Sequence, residues 1–273
     1  MKKLLVLFLS LLLTPFAADN AAACSSCSTR NRHHYSQNEG YAISVGTEFG
    51  VDNINDGDHR EPYIGLNFMY DEALLNGKLN INIGFGYVFE FVKEFNADYK
   101  KVFPQTLTLD AGLGYNLNLR DTSTLSFLLE SYTDFRLAPL NTPNDDNNVA
   151  SVLSPGIRFI ESLSFGDIYA QIGFPFRFAP YGVNTEFTIG WNSKFGLGLA
   201  LDTYFHLSPE ANWGRGLGTN VSYSFGRFSF FVQCLFNGIG VSGNSYYCED
   251  CDEYHVDNGG VSINTIIGFK VSF

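Results

Sequence analysis

The sequence predicts an all-β fold: an antiparallel, up-and-down transmembrane barrel of about 12 strands, with 10–14 allowed. Three observations lead there. Apolar and polar residues alternate with period two over runs longer than the roughly five or six residues of an ordinary strand. Short and long polar connections alternate along the chain. The 273 residues include 26 Phe and 15 Tyr, yet only 16% are charged, against ~25% in soluble proteins.

Twelve segments carry the alternation. Segment 41–51 points Glu48 to its polar side, and 62–71 follows. In 78–91, Leu79, Ile81, Ile83, Phe85, Tyr87, Phe89 and Phe91 share one face, and Asn80, Asn82, Gly84, Gly86, Val88 and Glu90 take the other. Segment 105–119 repeats this, with Asp110 among its polar residues. Segments 124–135 and 149–160 direct Glu130, Asp134 and Arg158 to the polar side; 165–178 directs Asp167 and Arg177 there. Segment 185–192 adds Glu186, and 196–207 adds Asp202 and His206. Segment 216–225 leads to 227–238, whose apolar face carries Cys234. Segment 261–273 has Lys270 on its polar face.

Each apolar face needs an apolar partner. In a two-sheet sandwich the opposite faces would be solvated and rich in Lys and Glu. Here they carry Gly, Ser, Thr, Asn and acids instead. A closed barrel in lipid fits, because every backbone group is paired and no edge remains. Aromatic residues fall at both ends of the strands, as interfacial girdles require. Tyr87, Phe89, Phe91, Phe174, Phe176, Phe178 and Phe205 lie toward the long connections. Tyr115, Phe165, Phe225, Phe228, Phe269 and Phe273 lie toward the short ones.

The chain opens with Lys2 and Lys3, a ten-residue apolar run (Leu4 to Leu13) and small residues up to Ala23. This is the pattern of a secretory signal peptide. It divides the chain into a signal peptide (1–23), a periplasmic N-terminal tail (24–40) and a barrel (41–273). The formal net charge of −11 excludes nucleic acid as a partner, since that requires a basic surface.

The ending, "NTIIGFKVSF" (264–273), has apolar residues on alternate positions and finishes on Phe273. It resembles the C-terminal signature of bacterial outer-membrane β-barrel proteins. The resemblance covers 41–273 as a pattern and the last ten residues as a motif. It implies residence in the outer membrane of a diderm bacterium after signal-peptide cleavage. It also implies contact with outer-membrane lipid, and an assembly signal at Phe269, Val271 and Phe273 read by the barrel-assembly machinery. It does not select a subfamily.

The candidate functional surface is the barrel interior. Alternation lines it with Glu48, Glu90, Asp110, Glu130, Asp134, Asp167, Glu186 and Asp202, against Arg158, Arg177, Lys270 and His206. An acidic lumen favours cations, so a narrow porin for small polar or cationic solutes is one reading. A closed structural or surface-adhesion barrel, binding an external ligand through long acidic loops, is the other. The inward glycines fit both, since they either clear space or let opposite walls pack closely.

Other chemistry is less developed. Cys248 and Cys251, and likewise Cys24 and Cys27, are spaced for local disulfides in an oxidising compartment. Nearby His33, His34 and His255 invite zinc, but the two pairs fall on opposite sides of the membrane and no shared metal site is expected. Cys24 also follows three alanines in a faintly lipoprotein-like setting. The acidic stretch 52–61 misses the calcium-loop pattern at Ile54. Asp202 and His206 make a rim dyad conceivable, but no nucleophile motif accompanies them, so no enzyme and no cofactor is expected.

Overall fold

The computed structural model describes residues 40–52, 61–91, 94–95, 101–102, 105–136, 149–178, 181–206, 215–239, 244–248, 253–257 and 262–273. The expected signal peptide (1–23), the expected N-terminal tail up to residue 39, most of the long connections, and Cys24, Cys27 and Cys251 lie outside these. Among the described residues no helix is long and apolar enough to cross a membrane; the crossing elements are strands.

The strands are β1 (Gly40–Asp52), β2 (Glu61–Leu74), β3 (Leu79–Glu90), β4 (Gln105–Asn118), β5 (Ser123–Arg136) and β6 (Val149–Leu163). Then come β7 (Gly166–Gly173, continued by Phe176–Phe178), β8 (Tyr181–Ser193) and β9 (Leu197–His206). The set ends with β10 (Arg215–Phe225), β11 (Phe228–Ile239) and β12 (Ser262–Ser272). With the two pieces of β7 counted as one, the thirteen sheet segments make a 12-strand barrel. Each strand pairs antiparallel with its sequence neighbour. β12 closes on β1 from Ala42↔Ser272 to Val51↔Ile263. Closure is what lipid demands, because an unpaired N–H or C=O in hydrocarbon costs several kcal/mol.

The interruption in β7 falls at Phe174–Pro175, where proline has no N–H to give. Register survives it: Gly156↔Gly173 lies on one side and Leu153↔Phe176 on the other. Between them Phe174 N–H donates to the Pro155 carbonyl at 2.9 Å. β8 begins at Tyr181, earlier than the 185 expected from alternation, because Tyr181 to Val183 pair with the β7 continuation.

The connections at the end carrying Gly40 and Phe273 are tight, and this is called the turn end below. After Leu74, three successive residues turn left-handed: Leu75, Asn76 and Gly77, at φ 56°, 56° and 75°. The turn is therefore 75–78 rather than 72–77. Asn116 Nδ2 on β4 caps it through the Gly77 carbonyl at 2.7 Å. Between β10 and β11 the two-residue turn has Gly226 at φ 58° in its first central position, as a type II′ hairpin requires. The opposite, loop end bears two short hairpins outside the barrel, Glu94–Phe95 with Lys101–Val102 and Asn244–Cys248 with Glu253–Asp257.

Packing is inverted relative to a soluble protein. Leu66, Phe68, Phe85, Phe127, Ile189 and Ile267 are exposed on the outer face, a continuous apolar surface that needs an apolar solvent. Of the expected girdle residues, Phe91, Phe174 and Phe176 at the loop end, and all six at the turn end, are likewise exposed. The main apolar cluster also sits on the outer wall, where Ile81 and Ala111 are covered by Leu74, Leu113, Leu129 and Leu153. Beside it Thr133 and Ser151 satisfy each other through a 3.1 Å hydrogen bond between hydroxyls.

Candidate functional site

The polar residues point into the barrel. Glu48, Asp110, Glu130, Asp134, Arg158, Asp167, Glu186, Asp202 and Lys270 all occupy inward positions on their strands. Glu90, Arg177 and His206 occupy inward register positions, paired with Tyr63, Gly182 and Asn184; their side chains lie outside the described residues. Asp202 and His206 thus share one face of β9. Among the described residues no group of three or more His, Cys, Asp or Glu comes together to hold a metal.

The carboxylates do not form one cluster. Glu48 is 2% exposed, within a network across β12, β1 and β2. Asn67 Nδ2 donates to its Oε2 at 2.9 Å, and Asn264 Nδ2 donates to its Oε1. Asn264 Nδ2 also donates to the Tyr63 hydroxyl at 2.6 Å. Around this network Asp202, Leu235, Asn264 and Ile266 are buried almost completely. They form a closely packed belt in the middle of the wall made by β9 to β2. Arg158, on the far side, donates from Nε and Nη2 to Gln171 Oε1 at 2.9 and 2.6 Å, and its guanidinium lies 5.2 Å from the Tyr169 ring centre. Lys270 Nζ is 2.8 Å from Asp71 Oδ2, reaching diagonally across β1.

Alternation did not single out Asp71. It lies at the end of its segment, and its partner is two strands away, 199 residues along the chain. The large inward side chains Tyr63, Tyr169, Phe231 and Ile266 were missed as well. What places them is glycine on the neighbouring strand. Gly50 is directly paired with Tyr63, Gly190 with Tyr169 and Gly268 with Phe231. In each pair the ring lies where a Cβ would stand: Tyr63 Cζ would be 2.1 Å from a Cβ on Gly50, and Tyr169 Cζ 2.2 Å from one on Gly190. Polar residues do the same, with Asn82 folded over Gly112 and Asp110 over Gly84. The glycines therefore neither simply clear space nor admit the opposite wall. They let the adjacent strand's side chain lie flat against its own wall, the covering known to protect sheet glycines.

Below the packed belt, toward the turn end, the lumen opens into a cavity of about 530 Å³. The ends of β1–β3 and β8–β12 surround it, with Asn82, Asn220, Gln233, Ser222, Phe231 and the Lys270–Asp71 pair on its wall.

Cys234 is a free thiol on the outer face, its Sγ 3.6 Å from Thr265 Oγ1. Cys248 ends the first strand of the loop-end hairpin; its expected disulfide to Cys251 lies outside the described residues.

A closed antiparallel barrel of this kind, apolar outside and polar inside, has the fold of bacterial outer-membrane β-barrel proteins. Two solved barrels show the likeness. One is the COG4313 outer membrane channel from Pseudomonas putida F1, with TM-score 0.56 and 11% identity over 90% of this chain and 100% of that one. The other is the translocator domain of the autotransporter NalP from Neisseria meningitidis, with TM-score 0.51 and 9% identity over 86% and 88%. At such identities the likeness is one of fold. No protein-family model matches the sequence, and no curated protein matches it significantly.

Proposed function

We propose that this protein is a narrow outer-membrane channel for small polar or cationic solutes. The observation that carries the reading is the charge of the lumen. Glu48, Asp71, Asp110, Glu130, Asp134, Asp167, Glu186 and Asp202 face inward, and the inward cations among the described side chains are Arg158 and Lys270. Lys270 is committed to Asp71. Such an excess of one charge inside a low-dielectric tube is costly unless water or counter-ions enter. A wet lumen of this sign draws cations and repels anions. The P. putida barrel of the same fold is itself a channel.

In this reading residues 1–23 direct export and are removed, and the barrel (41–273) sits in the outer membrane with the turn end periplasmic. Outward-facing Phe269, Val271 and Phe273 would be read by the barrel-assembly machinery, and Cys248 would pair with Cys251 outside the cell. The buried belt at Glu48 and Ile266 favours a second reading, a closed barrel that meets an external ligand through its acidic loops.

Planar-bilayer recording of the refolded barrel separates the two. The channel reading expects cation-over-anion selectivity that weakens as salt rises and screening shortens. Changing Asp110 and Asp167 together to Asn should lower that selectivity and leave folding intact. Absence of conductance at every pH would select the closed barrel.

A further inference from the structure

We propose that the turn-end cavity binds an uncharged, polyhydroxylated solute, in chemical class a short neutral oligosaccharide. The proposal deepens the channel reading by naming a solute class for the inner half of the same lumen. At about 530 Å³ the cavity lies within the ~300–1,000 Å³ range of small-molecule sites.

The chemistry of its wall differs from that of the lumen as a whole. The acids Glu48, Asp110, Glu130, Asp134, Glu186 and Asp202 are absent from it. Its polar groups are mostly amides and hydroxyls, from Asn80, Asn82, Asn220, Gln233, Ser222 and Ser229. Its ammonium, Lys270, is already neutralised by Asp71. Glu72, beside the turn, directs its carboxylate to the outer face, where it meets Tyr70. Amides and hydroxyls donate and accept alike, as sugar hydroxyls do.

Two of these amides lack matching groups among the described residues. Asn80 is 4% exposed and Asn82 1%. Asn80 Nδ2, and both Oδ1 and Nδ2 of Asn82, have no hydrogen-bond partner among the described residues. Buried polar groups are rarely left so, because each forgoes its bonds to water. Asn82 now lies over Gly112; turned off the wall toward the cavity, the two amides meet the hydroxyl groups of a bound solute, which supply what they lack. On the facing wall the tip of the Phe231 ring reaches Gly268 and Gly46, and the ring gives an apolar surface suited to the C–H face of a sugar.

Isothermal titration calorimetry on the refolded full-length barrel in detergent tests this with three trimers of similar size. Maltotriose is neutral, tri-glucosamine cationic and tri-galacturonate anionic. We expect maltotriose to bind, each charged trimer to bind at least about tenfold more weakly, and Asn80→Leu with Asn82→Leu to weaken maltotriose at least about tenfold. If that double variant fails to fold, Asn220→Leu on the opposite wall should still weaken binding. No heat from maltotriose with folded barrel, unchanged affinity in folded variants, or a charged trimer binding as tightly as the neutral one would each overturn the proposal. Calorimetry needs no ion flow, so a barrel that binds maltotriose but does not conduct would refute the channel reading and leave the site standing.

Discussion

Glu48 shows how a residue's position can be legible while its partners are not. Alternation put it on the polar face of β1, and there it is. Alternation along one strand says nothing about which side chains stand beside it on the adjacent strands, so it left the carboxylate's partners open. The structure makes it a hub, accepting from Asn67 on β2 and Asn264 on β12. Removing such an acceptor strands its donors, at about 1–3 kcal/mol for each buried group left unmatched. Glu48→Ala should therefore lower the unfolding free energy of the refolded barrel in detergent by about 2 kcal/mol or more. A denaturant midpoint unchanged from wild type would show the network to be idle. The inward aromatics were illegible for a related reason. Tyr63 and Tyr169 look like ordinary barrel aromatics until the register sets each opposite a glycine.

At the level of elements, β12 is the strand on which the fold depends. It joins β11 on one side and β1 on the other, so it turns an open sheet into a barrel. Its end is fastened twice: Phe273 N–H donates to the Tyr41 carbonyl at 2.8 Å, and the two rings stack at 4.9 Å and 12°. Tyr70 on β2 extends the stack, 6.2 Å from Tyr41. Aromatic pairs contribute about 0.5–1.5 kcal/mol beyond their buried area. Phe273→Asp replaces this with a charge facing lipid and should block assembly in cells, leaving degraded or aggregated protein. Normal amounts of folded variant in the membrane fraction would contradict that. This strand was highly legible because alternation, aromatic ends and closure agree in it. β7 and β8 were less so: Pro175 removes a donor without shifting the register, and the start of β8 mixes Gly182 and Asn184 into the pattern.

Across the whole molecule, the architecture was legible and the distribution of charge was not. Period-two alternation and the rhythm of short and long connections are local signals, and they carried the strand count. The division of the lumen into an acidic, packed middle and an amide-rich cavity near the turns depends on how inward residues stack along the barrel axis. That follows from register across many strands, which no single segment encodes.

The glycine–aromatic pairs carry a further consequence, for calibre. Each ring folded over a glycine is bulk stored in the wall, held out of the bore by the absence of one methyl group. The bore can therefore be reset without replacing any charged side chain. Gly50→Ala sets a methyl where Tyr63 now lies and must swing that ring inward, away from Asn264. The expected result in bilayer recordings is a smaller unitary conductance with unchanged ion preference. Gly190→Ala should act in the same way through Tyr169, on the far side of the barrel. Two wall glycines would then work as independent throttles on one passage.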